Sequence, residues 1–149
     1  MYDKILLATD GSDFAKKAGK HAITLAKQFN SEILILNVIE TTYYHGLGGE
    51  DIAEELDKLL EKEGQNTINQ FLDELKESEC NNGTCSTINF RSVLRFGNPY
   101  KEILKIIEEE NIDLTIIGNS GKNSFDRILL GSVSEKVIRH GKSTVLIVK

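Results

Sequence analysis

The sequence predicts an α/β fold with a doubly wound, five-stranded parallel sheet in the order 3-2-1-4-5 and helices on both faces. Two observations support this prediction. Short apolar runs alternate with longer segments of helical periodicity along the chain. The runs are rich in Ile, Leu and Val, as expected for strands that helices cover on both sides. Residues 1–149 are expected to form one domain.

Two strands and one helix are predicted before residue 40. The apolar run from Lys4 to Thr9 predicts the first strand, and the turn Asp10-Gly11-Ser12 follows it. Apolar residues recur at helical spacing from Asp13 to Phe29, which indicates a helix. The run from Glu32 to Val38 is almost continuous in Ile, Leu and Val, so it predicts a second, buried strand.

A long charged helix is predicted in the middle of the chain. Thr41 to Glu50 is expected to be a loop that leaves the carboxyl end of the second strand. It is predicted to be either a mobile segment or a dimer contact. Asp51 is expected to start the helix, with Glu54 in a capping box. The predicted apolar stripe consists of Leu56, Leu59, Leu60, Ile68, Phe71, Leu72 and Leu75.

Three strands and two helices are predicted after residue 85. The run from Ser86 to Leu94 begins with polar residues, so we expect it at an edge of the sheet. Asn98-Pro99 has the pattern of a helix N-cap followed by proline at the first helical position. The other predicted elements are a strand from Leu114 to Ile117, a helix from Ser132 to His140 that Gly141 closes, and a strand from Thr144 to Val148.

Composition narrows the classes of partner. The net charge of −5 and the sequence pI near 5.3 argue against nucleic acid or an anionic membrane, because both need clustered Lys and Arg. No stretch approaches the roughly 20 apolar residues of a membrane helix. The first residues do not resemble a signal peptide, so we expect a cytoplasmic protein.

The two cysteines do not predict a metal site. Cys80 and Cys85 flank an Asn-Gly turn, and no two further ligands stand at a spacing that zinc requires. The pair is therefore read as two free thiols or as a reversible disulfide.

Two polar turns are expected to meet at one edge of the sheet. Ligands of open parallel sheets bind beyond the carboxyl ends of the strands, where the strand order reverses. In the order 3-2-1-4-5 that crevice lies between the first and fourth strands. Asp10-Gly11-Ser12 follows the first strand and Gly118-Asn119-Ser120-Gly121 follows the fourth. The topology thus places a candidate ligand site between these turns.

The second of these turns opens a glycine-rich segment with the pattern Gly118-x2-Gly121-x9-Gly131-Ser132. Glycines allow backbone N–H groups to approach phosphate oxygens, and the start of the following helix adds further N–H groups. Lys122 and Arg127 supply positive charge for a triphosphate. A second interpretation stays open, because Ser132 with Glu135 also forms a capping box that would only start the helix.

These features together resemble the universal stress protein family, specifically its ATP-binding branch. The resemblance covers the whole chain, and its sharpest element is the G-x2-G-x9-G-[S/T] pattern. It also includes the start at residues 4–12, the second strand at residues 33–39, the Gly97-Asn98-Pro99 turn and the end at residues 143–148. Ser120 departs from the family, since many relatives carry His or Arg between the two glycines.

The resemblance implies a role for each matched residue. Asp10 and Val38 would flank the adenine, and Gly118 would lie near the ribose. The phosphates would be surrounded by the glycine-rich segment, with a divalent cation such as Mg²⁺ or Mn²⁺ on them. The complete set of expected nucleotide-binding residues is Ala8, Thr9, Asp10, Val38, Gly118, Ser120, Gly121, Lys122, Arg127, Gly131, Ser132, Val133 and Ser134.

The predicted activity is binding of ATP, ADP or AMP by a signalling or stress-response module. Asp10 is the only obvious candidate for a catalytic acid or base beside the phosphate segment, and it is equally well explained as a turn residue, so at most slow ATP hydrolysis is expected. Two alternatives stay open: a nucleotide-hydrolysing or nucleotidyl-transferring enzyme, and an interaction protein without regulated nucleotide binding.

The last strand predicts a homodimer. Thr144 to Val148 is a short, apolar strand at a sheet edge without an internal proline or charge, and such edges pair with other chains. Relatives in the family dimerise in this way, and the alternative is a monomer whose edge the long helix covers.

Overall fold

A computed structural model of the chain describes residues 1–40, 50–80, 88–119 and 130–149. Residues 41–49 of the expected loop from Thr41 to Glu50 lie outside the described residues, as does Cys85. Five strands and four helices alternate along the described chain. They are β1 (Lys4–Ala8), α1 (Asp13–Phe29), β2 (Glu32–Ile39), α2 (Glu50–Cys80), β3 (Phe90–Phe96), α3 (Pro99–Glu109), β4 (Leu114–Gly118), α4 (Ser132–His140) and β5 (Thr144–Val148).

The strands form one parallel sheet in the order β3-β2-β1-β4-β5, which confirms the predicted fold class. β1 lies at the centre, with Leu7 paired to Ile35 of β2 and to Ile116 of β4. The three central strands are almost fully buried, which explains their continuous apolar runs. The order reverses between β1 and β4, so the ligand crevice predicted from topology falls between these two strands.

Helices cover the sheet in two layers. Alternate strand residues such as Ile5 and Ile33 pack with α1 and α2, and the residues between them, such as Leu6 and Leu34, pack with α3 and α4. Both clusters consist of apolar side chains that are almost completely buried. The α3–α4 layer includes α4, which follows β4 at the predicted crevice.

The predicted third strand is shifted along the chain. Its predicted span was Ser86 to Leu94, whereas β3 runs from Phe90 to Phe96. The strand continues past Leu94 to Phe96, and Gly97 ends it. The Gly97 amide donates a 2.9 Å hydrogen bond to the carbonyl oxygen of Ile39, which keeps β3 paired with β2 up to this point. Gly97 has φ of +136°, which glycine adopts without strain, so the chain turns there into α3. The predicted edge position is correct.

One predicted helix cap is wrong, and another is confirmed in its position. α2 begins at Glu50, so Asp51 lies inside the helix, and the Glu54 carboxylate accepts a 2.8 Å hydrogen bond from Lys58 instead of closing a capping box. Asn98 is at the N-cap position of α3 with Pro99 following, as predicted, but its side chain makes no capping hydrogen bond. Leu59, assigned to the buried stripe of α2, is 60% exposed.

An ion cluster ties the amino ends of the strands to the end of α3. The guanidinium of Arg91 on β3 forms ion pairs with Glu32 of β2 and with Glu110, the latter at 2.6 Å. Lys4 of β1 donates a 3.0 Å hydrogen bond to the Glu110 carbonyl oxygen. The hydrogen bond from Arg91 is the main cause that lowers the pKa of the Glu110 carboxyl, and nearby cations add to it while burial opposes it. The cluster therefore favours the charged form of Glu110 in the folded chain.

No helix in the described ranges is both long and apolar enough to cross a membrane.

Candidate functional site

The turn after β1 is built from short-range hydrogen bonds. The Gly11 amide donates to the Thr9 hydroxyl at 3.1 Å, and the Ser12 amide donates to a carboxylate oxygen of Asp10 at 3.0 Å. Gly11 has φ of +77°, so the turn requires a residue that tolerates the left-handed region. Ser12 then caps α1 by accepting a hydrogen bond from the Ala15 amide. Asp10 therefore has the structural role of a turn residue at this edge.

Asn37 of β2 fixes the end of β1 next to this turn. Its side-chain amide donates a buried 2.8 Å hydrogen bond to the Thr9 carbonyl oxygen. The Thr9 amide in turn donates to the Leu36 carbonyl oxygen at 2.9 Å. These two bonds hold Ala8 and Thr9 against Leu36 and Asn37, the two residues of β2 that precede Val38. Sequence reasoning missed Asn37, although a lone amide in an apolar strand is a recognisable signal.

Gly118 at the end of β4 packs tightly against the start of α1. A Cβ at this position would lie 2.8 Å from the Phe14 Cβ and 3.0 Å from the Phe14 backbone carbon. The glycine is therefore explained by helix packing, since the nearest atoms belong to backbone and a Cβ that cannot move aside. The next residue, Asn119, is buried, and its amide donates to the Val148 carbonyl oxygen at 2.7 Å.

The start of α4 differs from the predicted capping box. Gly131 is the N-cap, and Ser132 is the first helical residue. The capping box at Ser132 is therefore wrong, and the Gly131 N-cap supplies no side-chain oxygen. Gly131 has no side chain that could cap the first amides of α4, and uncapped amides at a helix start can donate hydrogen bonds to a ligand. A helix start of this kind favours a bound anion.

Ser134 connects this helix start to β4. Its hydroxyl donates a 2.8 Å hydrogen bond to the Gly118 carbonyl oxygen, and both groups are buried. The Gly131 amide donates to the Asn119 carbonyl oxygen at 2.8 Å. The first turn of α4 is thus fixed to the carboxyl end of β4, where the crevice begins.

Several of the predicted residues share one apolar surface. Ala8 belongs to the cluster under α3 and α4, and Val38 and Val133 pack against it. Tyr100 at the start of α3 packs against the same cluster, and the Lys136 ammonium lies 4.7 Å from the centre of its ring. Neither of these last two residues was predicted from the sequence, because their contact joins two helices.

The structure thus places Ala8, Val38 and Val133 at one apolar cluster and joins Gly118 to Ser134 by a hydrogen bond. Four predicted members fall outside the described ranges, and their predicted roles stay predictions. These four are Ser120, Gly121, Lys122 and Arg127. Within the part of the chain that is described, no group of three or more His, Cys, Asp or Glu side chains is placed to hold a metal ion.

Comparison with known proteins establishes the family. The profile of the universal stress protein family matches residues 1–149. The chain belongs to the universal stress protein family. Universal stress protein MJ0531 of Methanocaldococcus jannaschii is 35% identical over 149 residues, which are 100% of this chain and 83% of that relative.

Solved structures of universal stress proteins share the fold. The protein MJ0577, which the same archaeon encodes, is 34% identical to this chain with a TM-score of 0.84. The match covers 100% of this chain and 96% of the MJ0577 chain. A universal stress protein of Archaeoglobus fulgidus solved in complex with dAMP is 18% identical, with a TM-score of 0.68 and coverage of 99% and 98%. A different universal stress protein, solved in complex with cAMP, is 22% identical to this chain with a TM-score of 0.68, and the match covers 99% of this chain and 97% of that protein.

Proposed function

We propose that this universal stress protein binds an adenine nucleotide, with ATP as the main ligand, in the crevice between β1 and β4. The nucleotide would lie on the α3–α4 side of the sheet. The adenine would contact the turn at Asp10 and the side chain of Val38, with the ribose beside Gly118. The phosphates would accept hydrogen bonds from the glycine-rich segment and from the start of α4.

The start of α4 is the observation that carries this proposal. Its N-cap is Gly131, which offers no side-chain oxygen, while Ser134 fixes the first turn to β4. Helix amides without a capping side chain carry a partial positive charge that phosphate oxygens complement. The crevice at a reversal of strand order is also the usual ligand position in doubly wound sheets.

The relatives solved with dAMP and with cAMP support the choice of an adenine nucleotide. Mg²⁺ or Mn²⁺ would enter with the phosphates and keep most of its water ligands, since such ions need few protein carboxylates. The side chain of Asp10 accepts a hydrogen bond from the Ser12 amide. A turn residue of this kind is a poor general base, so we infer a cytoplasmic binding module with at most slow hydrolysis.

The ligand can be identified directly. Protein purified gently, without added nucleotide, is denatured with acid and the released small molecules are identified by mass spectrometry. An adenine nucleotide in near-stoichiometric amount supports the proposal. The proposed function fails if no nucleotide is released and the purified protein also takes up none from a mixture of ATP, ADP and AMP.

We also propose that two copies pair through β5. The Thr144 amide donates to Asp113 at 3.1 Å, and the Val148 carbonyl oxygen accepts from Asn119 at 2.7 Å, so the backbone of both residues faces β4. Because strand residues alternate in direction, Leu146 also faces β4, whereas the backbone groups of Val145 and Ile147 face away from the sheet. An edge of that kind can add the same strand of a second copy.

A further inference from the structure

Lys136 and Tyr100 form a contact between the starts of two helices. Tyr100 is the second residue of α3, and Lys136 is in the second turn of α4. The lysine ammonium lies over the tyrosine ring, 4.7 Å from its centre, which is the geometry of a cation–π interaction. Tyr100 packs on the apolar cluster that includes Ala8, so the ring is held in place at the crevice side of the sheet.

The charge of Lys136 is not balanced by a carboxylate of the described residues. Its ammonium has the tyrosine ring as its partner there, and its side chain is exposed. Many other lysines of the described chain form ion pairs with glutamate. These are Lys4, Lys16, Lys58, Lys105 and Lys142. Within the described ranges, no carboxylate therefore competes with an anionic ligand for the Lys136 ammonium.

The position of this charge on α4 is unusual. Lys136 is the fifth residue of α4, one turn after Ser132, and side chains on a helix lean toward its N-terminus. A cation near a helix N-terminus is opposed by the helix dipole, and the first amides of α4 lack a side-chain cap. The arrangement becomes favourable when an anion lies between the amides and the ammonium.

We propose that Lys136, positioned by the ring of Tyr100, binds the terminal phosphates of the nucleotide and so makes the site select ATP over AMP. This inference rests on the proposed function, since it concerns the same crevice. An ammonium is a strong donor to phosphate oxygens, and its contribution grows with the number of phosphates within reach. The α-phosphate, which AMP also carries, would depend mainly on backbone amides.

Selectivity is the quantity that tests this inference. Dissociation constants of Mg-ATP and of AMP are measured by calorimetry for the unaltered protein, Lys136→Gln and the control Lys142→Gln. The control removes the same charge at a distant position, because Lys142 follows the C-terminal end of α4 and pairs with Glu108. We expect Lys136→Gln to weaken ATP binding roughly tenfold and AMP binding less than about twofold, with both constants within about twofold for the control.

Tyr100 adds a second pair of variants. Tyr100→Phe keeps the ring and should keep the preference for ATP. Tyr100→Leu removes the ring and should lower the affinity for ATP relative to the affinity for AMP, as Lys136→Gln does. Equal weakening of ATP and AMP in Lys136→Gln, or the same loss of ATP affinity in Lys142→Gln, overturns the inference and leaves the proposed function standing. Absence of nucleotide binding by the unaltered protein overturns both.

Discussion

The hydroxyl of Ser134 on α4 donates a buried 2.8 Å hydrogen bond to the carbonyl oxygen of Gly118 at the end of β4. This bond fixes the start of the helix against the strand next to which the nucleotide is proposed to lie. It also joins the first residue of the glycine-rich segment to the first turn of the helix that follows that segment. The position of the helix amides therefore depends on a side chain that the family pattern does not include.

Replacing Ser134 by alanine should remove this bond and leave the Gly118 carbonyl oxygen without its side-chain donor. We expect the free energy of unfolding to fall by roughly 1–3 kcal/mol, the cost of a buried unsatisfied group. Urea titration followed by circular dichroism measures it. Thr24→Ala is the control, because it removes an exposed hydroxyl bond on α1 and should change stability by less than about 0.5 kcal/mol. Equal effects of the two variants would contradict this role of Ser134.

Alanine at Gly118 should also destabilise the fold. The added Cβ would lie 2.8 Å from the Phe14 Cβ, and α1 would have to move to make room. We expect a loss of roughly 1–3 kcal/mol in urea titration, as for other overpacked sites. Gly64→Ala is the control: its Cβ meets mainly the ends of the Ile39 and Leu94 side chains, which can turn aside. A variant at Gly118 as stable as the unaltered protein would show that the helix is not held there.

The ion cluster at Arg91 should make stability depend on pH. The folded chain holds the pKa of Glu110 below its ordinary value of 4.5. The resulting stabilisation is complete above that ordinary value and is lost as the pH falls through the lower, folded pKa. Glu110→Gln should therefore lower the free energy of unfolding near neutral pH and lower it progressively less in acid. Urea titrations across this acid range measure the difference, and a difference independent of pH would contradict the assignment.

The backbone direction of β5 defines a matched pair of proline variants for the proposed dimer. The unaltered protein should have twice the mass of one 16.6 kDa chain in light scattering. Ile147→Pro removes an amide that faces away from the sheet, so it should give a folded monomer. Leu146→Pro removes an amide that faces β4 and should destabilise the chain itself. A monomeric unaltered protein, or a folded dimer of Ile147→Pro, would contradict pairing through this strand.

Sequence patterns predicted the sheet order and most element bounds because periodicity and apolar runs record burial directly. The helix from Asp13 to Phe29 has the predicted bounds. The errors occur where contacts between residues distant in sequence determine where an element ends. For example, β3 ends where the Gly97 amide bonds to the carbonyl oxygen of Ile39. The predicted N-cap of α4 is one residue too late. Ser132 fits the N-cap pattern, and it fits equally well as the first helical residue, which is its position in the structure.

The candidate site shows the same division. The turn at Asp10 and the first helical residue of α4, Ser132, follow from local residue types, which a single sequence displays. The roles of Asn37 and of the Tyr100–Lys136 contact depend on which side chains the fold brings together. The lone amide of Asn37 in an apolar strand is visible in the sequence, but no spacing along the chain gives its hydrogen-bond partner or predicts the contact between Tyr100 and Lys136.

Calorimetric titration of Mg-ATP is the most direct test of the proposed function. The unaltered protein should bind one nucleotide per chain, with a dissociation constant from about 1 μM to somewhat below 1 mM. Gly121→Val, shown by circular dichroism to be folded, should lose most of this affinity, because a branched side chain would obstruct the approach of backbone amides to the phosphates. Absence of binding by the unaltered protein, or unchanged affinity in the folded Gly121→Val variant, would contradict nucleotide binding by this segment.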